Sequence, residues 1–359
     1  MSAIPAPEHG PDAGVTWHYG DPLGEQRAAE TGAVVVDRSH RATIALTGAE
    51  RRKWLHTIST QHVADLPDGA VAENLSLDVQ GRVEDHWLQT QLDGATIIDT
   101  EPWRGEPLLN YLRKMVFWAE VVVDPADLAV LSLLGPQVSD AAVLGVLGIE
   151  ALPAPSSALP LVEGGFVRRL RDGEVDLVIP RGAAAAWRKR LIAAGVRPAG
   201  VWAYEARRAA ALQPRLGVDT DDRTIPHEVG WIGGPGDGAV HLDKGCYRGQ
   251  ETVARVHNLG KPPRMLVLLH LDGSGDRPVT GDPILAGGRP IGRLGTVVDH
   301  VDLGPIALAL VKRGVPVETE LTTGGETAVS ALIDPDSMPA SAGVGAGRLA
   351  VERLRGYQR

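Results

Sequence analysis

The single cysteine of the chain lies in its densest cluster of chemically active residues. Cys246 belongs to the segment DKGCYRGQETVAR at 243–255. Lys244 and Arg248 are close to it in sequence, and cations lower the pKa of a neighbouring thiol and raise its reactive thiolate fraction. If residues 249–257 are helical, the thiol also lies just before a helix N-terminus, whose dipole acts in the same direction. The local residues favour equally a reactive thiol and a small buried apolar residue.

One thiol limits the redox and metal chemistry that the chain can perform alone. It cannot form an internal disulfide, and it cannot supply the ligand set of an iron–sulfur cluster. The 11 histidines are scattered, with no HExxH motif and no paired His/Cys spacing. We therefore expect no bound metal.

A second candidate site contains adjacent acidic residues. Glu84 and Asp85 follow Gly81 in GRVEDH at 81–86. Successive residues of a strand point to opposite faces, so only one of these carboxylates can face a given cleft. The alternative is that both are exposed strand charges.

The third candidate lies on a predicted helix at 201–212, where Arg208 is one turn from Glu205. This spacing also suits an ordinary helix ion pair. Basic residues are frequent nearby and at the C-terminus, and they could form a basic surface or solvated helix faces. These residues are Arg188, Lys189, Arg190, Arg197, Arg207, Arg348, Arg353, Arg355 and Arg359. The net charge of −9 argues against a general nucleic-acid binder.

The hydrophobic pattern divides the 359 residues into three parts. Residues 1–28 predict a loose N-terminal arm, 29–260 a mixed α and β region, and 261–359 a small β-barrel with a tail. Strands and helices recur in two rough cycles, with predicted helices at 50–59 and 104–118, a strand at 128–134 and a hairpin at 166–179. This recurrence predicts an α+β fold with duplicated units, joined by a loop at 152–160. The turn-rich GGPG segment at 233–236 predicts a functional loop.

Nothing in the sequence predicts a membrane protein. No apolar run approaches the roughly 20 residues needed to cross a bilayer, and the first residues resemble no secretory signal. We therefore expect a cytoplasmic protein.

The segment KGCYRGQE at 244–251, followed by VAR at 253–255, resembles the signature of YgfZ-type folate-binding proteins. These are relatives of the glycine-cleavage aminomethyltransferase, the T-protein. Further similar segments are VDRSH at 36–40, GRV at 81–83 and IPHE at 225–228. Arg208 and the following Pro214 also fit, and the resemblance covers roughly residues 30–335.

The resemblance implies an aminomethyltransferase-like folate-binding region followed by a β-barrel, with tetrahydrofolate as the cofactor. It also implies support of iron–sulfur cluster assembly or repair, with iron–sulfur client or assembly proteins as partners, and a link to tRNA modification through such enzymes. Cys246 and Lys244 would then carry the chemistry. A pterin ring presents adjacent N–H donors that a carboxylate such as Glu84 or Asp85 accepts as a fork. The resemblance implies that Glu84, Asp85, Arg208, Tyr247 and Arg255 hold folate.

Departures from the enzyme pattern separate the competing interpretations. Cys246-Tyr247 replaces the Asp-Phe of the glycine-cleavage enzymes, and Ala210 replaces a carboxylate. These changes favour the accessory role over a folate-dependent aminomethyltransferase or demethylase. A third hypothesis is a non-catalytic module that binds tRNA or a protein through residues 181–215.

Overall fold

A computed structural model describes residues 2–92, 94–326 and 328–339, which form two compact units. The first unit consists of the described residues up to Ser76, Asp85–Arg207 and Gly233–Gly245. The second consists of Leu77–Glu84, Arg208–Ile232 and the described residues from Cys246 onward. The chain therefore passes between the units several times.

The strands and helices up to residue 210 form the first unit, apart from residues 77–84 and 208–210. The strands are β1 (Ile4–Pro5), β2 (Thr16–His18), β3 (Val34–Asp37), β4 (Ala42–Thr47), β5 (Val71–Leu77), β6 (Val83–Leu92), β7 (Ala95–Thr100), β8 (Val122–Ala126), β9 (Leu128–Leu134), β10 (Ser157–Pro160), β11 (Phe166–Arg171), β12 (Glu174–Pro180) and β13 (Arg197–Ala199). The helices are α1 (Pro22–Thr31), α2 (Arg51–Ile58), α3 (Gly105–Lys114), α4 (Ala141–Leu147), α5 (Ala184–Ala193) and α6 (Val201–Ala210).

Two sheets of the first unit repeat one arrangement. The five-stranded sheet has the order β5-β6-β7-β4-β8, and the six-stranded sheet has the order β10-β11-β12-β9-β3-β13. In each, a strand and a helix precede a three-stranded meander, which a second helix connects to an edge strand. The duplicated α+β unit predicted from the sequence is therefore present, with β3 inserted into the second copy.

The sheets pack face to face, and helices cover their outer faces. Val71, Ile97, Val130, Phe166 and Val178 fill the space between the sheets. On the outer faces, α2 and α3 bury Leu55 and Leu108 against one sheet, and α4 and α5 bury Leu147 and Leu191 against the other. Apolar residues alternate along these strands because each face meets a different layer.

A buried ionic network also joins the two sheets. Asp99 of β7 accepts hydrogen bonds from Arg41 and from Arg168 of β11, and Arg168 also binds Asp176 of β12. Burial raises the pKa of Asp99, but the charges and hydrogen bonds of both arginines outweigh it and hold that pKa well below its usual range. Each charge of this buried network thus has an opposite charge beside it.

The second unit contains one helix and a closed barrel. The helix is α7 (Gln250–Leu259), and the barrel has the strand order β14-β17-β16-β15-β18-β19. Its strands are β14 (Arg264–Leu271), β15 (Pro283–Ala286), β16 (Arg289–His300), β17 (Gly304–Lys312), β18 (Leu321–Thr323) and β19 (Ser330–Ile333). Met265, Val267, Leu269 and their neighbours point inward to the barrel core. The predicted C-terminal β-barrel is therefore confirmed.

Some local predictions differ from the structure. The predicted arm at 1–28 contains β1, β2 and most of α1, because Val15 and Ala29 are buried in the core. The predicted loop at 152–160 includes β10, which pairs with β11 as an edge strand. The predicted break at 260/261 stays a prediction, and the tail with Arg348, Arg353, Arg355 and Arg359 lies outside the described residues.

Candidate functional site

Two segments identified in the sequence pack together within the second unit, at a pair of glycines. Gly81 (φ +80°) lies in the β5–β6 turn, and Gly249 (φ +83°) immediately precedes α7. A Cβ on Gly249 would lie 2.7 Å from the Asp78 carbonyl oxygen and 2.9 Å from Gly81 Cα. A Cβ on Gly81 would lie 2.8 Å from Thr252 Cβ. The absence of side chains thus lets the hairpin reach the cysteine segment.

The side chain of Arg248 also connects the cysteine segment to the β5–β6 hairpin. Its guanidinium donates to the Leu77 carbonyl oxygen and to the Glu84 carboxylate. Both side chains of this ion pair are more than a third exposed. Glu84 is therefore bound to the cysteine segment, and Arg248, one of the two cations predicted to influence the thiol, is held by a carboxylate and a carbonyl oxygen.

Cys246 is exposed, and it lies four residues before the first residue of α7. The interpretation of this residue as a small buried apolar side chain is therefore wrong. The neighbouring Tyr247 is buried, which raises the pKa of its phenol to about 12. A buried tyrosine next to an exposed thiol fixes the segment while leaving the sulfur accessible, which a reactive cysteine requires.

Asp85, in the first unit, is buried and already bound. Its Oδ2 accepts a hydrogen bond from the Ser76 hydroxyl at 2.7 Å, and its Oδ1 accepts one from Arg104 Nε at 2.8 Å. The two adjacent carboxylates therefore differ in environment, as strand alternation predicts. The guanidinium of Arg104 presents N–H donors to Asp85 in the way that we expected a pterin ring to do.

Lys244, also in the first unit, binds the end of a helix. Its ammonium donates to the carbonyl oxygens of His56 and Ser59, at the C-terminus of α2. Burial lowers the pKa of Lys244 to about 8. The rings of His56 and His62 are 4.7 Å apart, and burial and the charge of Lys244 lower the pKa of His56.

Arg208 is buried in the second unit among protein groups. Its Nη1 donates to Asp219 Oδ2 at 2.7 Å and to the Gln213 carbonyl oxygen at 2.8 Å, and its Nη2 donates to the Thr296 hydroxyl. These bonds connect the end of α6 to a turn and to β16. These bonds give Arg208 a structural role. Its predicted contact with folate would be additional to that role.

Part of the basic segment at 181–215 is paired with carboxylates. Arg181, Arg188 and Arg190 form ion pairs with Asp127, Asp37 and Glu163, respectively. Phosphate contacts would have to compete with these carboxylates. This pairing weakens the hypothesis of a tRNA-binding module.

The structure thus unites part of the predicted site. Within the second unit it brings Glu84 to the cysteine segment, while Arg208 lies in a separate buried cluster and Arg255 is exposed on α7. Sequence reasoning missed the partners Ser76, Arg104 and His56, which lie in other elements and carry no local signal. No group of three or more metal-ligating side chains suited to an ion, and no helix suited to crossing a bilayer, occurs within the described residues.

The duplicated α+β unit and the closed barrel define an aminomethyltransferase fold. The structure matches the glycine cleavage system aminomethyltransferase T of Bartonella henselae with a TM-score of 0.79. The match covers 94% of this chain and 95% of that one at 20% sequence identity. It therefore concerns the fold.

Sequence comparisons relate the chain to the same group of proteins. It is 28% identical to an aminomethyltransferase of Rubrobacter xylanophilus, over 84% of this chain and 81% of that protein. It is 25% identical, over 74% of this chain, to a protein of Arabidopsis thaliana described as a chloroplastic transferase, and the match spans 62% of that relative's length. No family model matches the chain. The chain is thus related to the aminomethyltransferases.

Proposed function

We propose that this protein binds tetrahydrofolate and supports the assembly or repair of iron–sulfur clusters in other proteins. The observation that carries the proposal is the exposed Cys246 on a segment fixed at Gly81, Glu84 and Tyr247. A solvent-accessible thiol in a rigid segment can attack or ligate a partner's group without rearrangement. One thiol cannot hold a cluster alone, so the role is accessory and the partners are iron–sulfur client or assembly proteins.

Folate binding supplies the second half of the proposal. The aminomethyltransferase fold and the KGCYRGQE segment support it. In this proposal Tyr247, Arg255, Glu84, Asp85 and Arg208 contribute to the folate site, and Lys244 acts with Cys246. An effect on tRNA modification would follow indirectly, through iron–sulfur enzymes in the cytoplasm.

The thiol is tested in cells by replacing Cys246 with Ala or Ser. We expect both variants to lose the support of an iron–sulfur enzyme under oxidative stress while remaining folded, because the side chain is exposed. Ala254→Ser, at an exposed position of α7, is the matched control and should behave as the natural protein. Unchanged client activity in the Cys246 variants would refute the role of the thiol.

Folate binding is tested separately by anaerobic calorimetry with tetrahydrofolate. We expect saturable binding by the natural protein and by Cys246→Ala alike, since the thiol acts on the partner. An absence of binding up to about 1 mM ligand, which corresponds to a binding free energy of about −4 kcal/mol, would refute this half of the proposal.

A second candidate function is a folate-dependent aminomethyltransferase or demethylase. The relatives described as aminomethyltransferases favour it. Ala210, which replaces a carboxylate of the enzyme pattern, and the engagement of Asp85 by Ser76 and Arg104 count against it. Turnover of an aminomethyl donor with tetrahydrofolate would establish this function, and we expect none.

A further inference from the structure

The first unit contains a cleft that none of the predicted site residues lines. Its volume is about 310 Å³, enough for a small organic molecule. Strand residues form two walls, and the turn-rich segment at 233–238 forms the third. The lining includes Val71, Glu73, Leu88, Ser156, Leu170, Arg171, Gly236 and Asp237.

The glycine-rich wall is firmly attached. Gln61 Nε2 donates to the carbonyl oxygens of Gly233 and Gly238, at 3.1 and 2.7 Å. The amides of Asp237 and Gly238 both donate to the Gly234 carbonyl oxygen at 3.0 Å. The loop is therefore a preformed wall of the cleft.

Ser156 at the cleft has an unusual backbone. Its φ of +56° lies in the left-handed region, which costs a non-glycine residue about 1 kcal/mol or more. Hydrogen bonds from Val71 N to its carbonyl oxygen and from its amide to Arg169 hold this conformation, both at 2.9 Å. A Cβ on Gly236 would lie 3.0 Å from Ser156 Oγ, so the glycine lets the loop approach the serine. Such local strain is concentrated at ligand sites.

Opposite charges line the cleft. Glu73 Oε2 is 2.9 Å from His86 Nε2, and Arg171 Nε is 3.1 Å from Glu174 Oε2. Burial raises the pKa of Glu73, but the hydrogen bond and charge of His86 and the charge of Arg171 lower it below its usual value overall. Neither the terminal nitrogens of Arg171 nor the carboxylate of Asp237 hydrogen-bonds to another residue in the part of the chain that the structure describes.

We propose that this cleft binds an α-amino acid with an apolar side chain. Arg171 would receive the α-carboxylate through its forked terminal nitrogens, and Glu73 and Asp237 would receive the α-ammonium group. The apolar side chain would contact Val71, Leu88 and Leu170. The lining of the cleft includes none of the residues proposed to bind folate or to act with Cys246, so this proposal does not rest on the proposed function.

The charge arrangement distinguishes this class of ligand from others. A phosphate group would meet Arg171 but also the repulsion of two carboxylates, and a metal ion would meet the repulsion of Arg171. A zwitterion satisfies both signs at once. It also leaves an apolar part for the aliphatic lining.

The test compares L-leucine with L-leucinamide and N-acetyl-L-leucine, by calorimetry on the full-length protein near neutral pH. Leucinamide lacks the carboxylate, and N-acetyl-leucine lacks the ammonium group. We expect leucine to bind saturably and each analogue to bind at least ~10-fold more weakly, because each leaves a charged group of the cleft unpaired. Absence of leucine binding up to about 10 mM, or equal binding of all three, would overturn the proposal.

Variants then assign the charges. Arg171→Gln should weaken leucine binding at least ~10-fold and abolish the preference for leucine over leucinamide. Arg169→Gln is the matched control on the same strand, since Arg169 pairs with Asp172 and lines another cleft. The affinity of this variant protein for leucine should be unchanged. Asp237→Asn, at an exposed position, should reduce the preference for leucine over N-acetyl-leucine. This variant leaves the pair of Arg171 with the buried Glu174 unchanged, so its result does not depend on that pair. Equal losses in the Arg171 and Arg169 variants would contradict the assignment.

Discussion

Gly81 and Gly249 show how a contact between distant segments depends on missing side chains. At Gly249 the backbone has a positive φ, and a Cβ would meet the Asp78 carbonyl oxygen at 2.7 Å. We expect Gly249→Ala to lower the free energy of unfolding by about 1–3 kcal/mol, because it adds backbone strain and a steric clash. Urea denaturation followed by circular dichroism measures the change.

The control for this prediction is Gly314→Ala in the same unit. Gly314 has no positive φ, and an added Cβ would have no neighbour within 4 Å. We expect this variant to be as stable as the natural protein or slightly more stable, since alanine restricts the unfolded chain. Equal destabilisation of both variants would mean that the contact between the hairpin and α7 is not the cause.

A second prediction at the residue scale concerns pH. Both ring nitrogens of His227 are shielded from solvent and bond to no described residue. Burial, together with the charge of His257, lowers the pKa of His227 to about 4, below its usual value of about 6.5. Between these values the unfolded state binds a proton that the folded state does not, so stability falls as the pH decreases through this window.

We therefore expect His227→Leu to lose less stability than the natural protein between about pH 6.5 and about pH 4.5, by about 1 kcal/mol. His257→Leu should produce part of the same effect, since the charge of His257 contributes to the shift. Urea denaturation at several pH values measures both. Parallel pH profiles for the natural protein and His227→Leu would contradict the assignment.

At the scale of elements, strand alternation gives two adjacent carboxylates different energetic roles. Asp85 is buried and bound to Ser76 and to the half-buried Arg104, whereas the ion pair of Glu84 and Arg248 is exposed. We expect Asp85→Asn to cost about 2–3 kcal/mol, because it weakens the ion pair of a buried carboxylate. Glu84→Gln should cost less than about 1 kcal/mol, as exposed pairs contribute little. Similar costs in urea denaturation would show that burial does not separate the two residues.

The elements that the sequence predicted are those with a clear hydrophobic period or a nearly continuous apolar run. The helices at 50–59 and 104–118 each present one buried face, and the structure has α2 and α3 there. The apolar run at 128–134 is β9, whose residues 129–134 are all buried. The hairpin at 166–179 was predicted because a turn separates two apolar runs. Short edge strands such as β10 and β13 were not predicted, because they are defined by pairing with another strand rather than by a local hydrophobic pattern.

The same limit applies to the candidate site. The local residues leave open whether the cysteine is accessible. A helix after it, over 249–257, could be expected, and α7 begins at Gln250. The partners of Lys244 and Arg208 could not, because a buried cation takes whatever acceptors the tertiary fold supplies. The carbonyl oxygens at the end of α2 are such acceptors, and they leave no signal around residue 244.

At the scale of the whole molecule, the units are interleaved along the chain. Arg264 at the start of β14 binds Asp221 at 2.6 Å and Glu228 at 2.7 Å, on a segment that precedes the predicted boundary at 260/261. These bonds lower the pKa of Asp221 to about 2, although its burial acts in the opposite direction. The barrel therefore obtains part of its stabilisation from residues 208–232.

This connection predicts how fragments behave. We expect a fragment of residues 208–359 to unfold at a higher temperature than a fragment of residues 261–359, because only the longer one retains both carboxylate partners of Arg264. Arg264→Gln should remove most of that difference. Arg277→Gln, which breaks an ion pair with Asp299 of β16, should lower the unfolding temperature of both fragments alike. Thermal denaturation followed by circular dichroism measures all six proteins. Equal stability of the unmodified fragments would show that the barrel is complete from residue 261, and the boundary predicted from the sequence would then be the physical one.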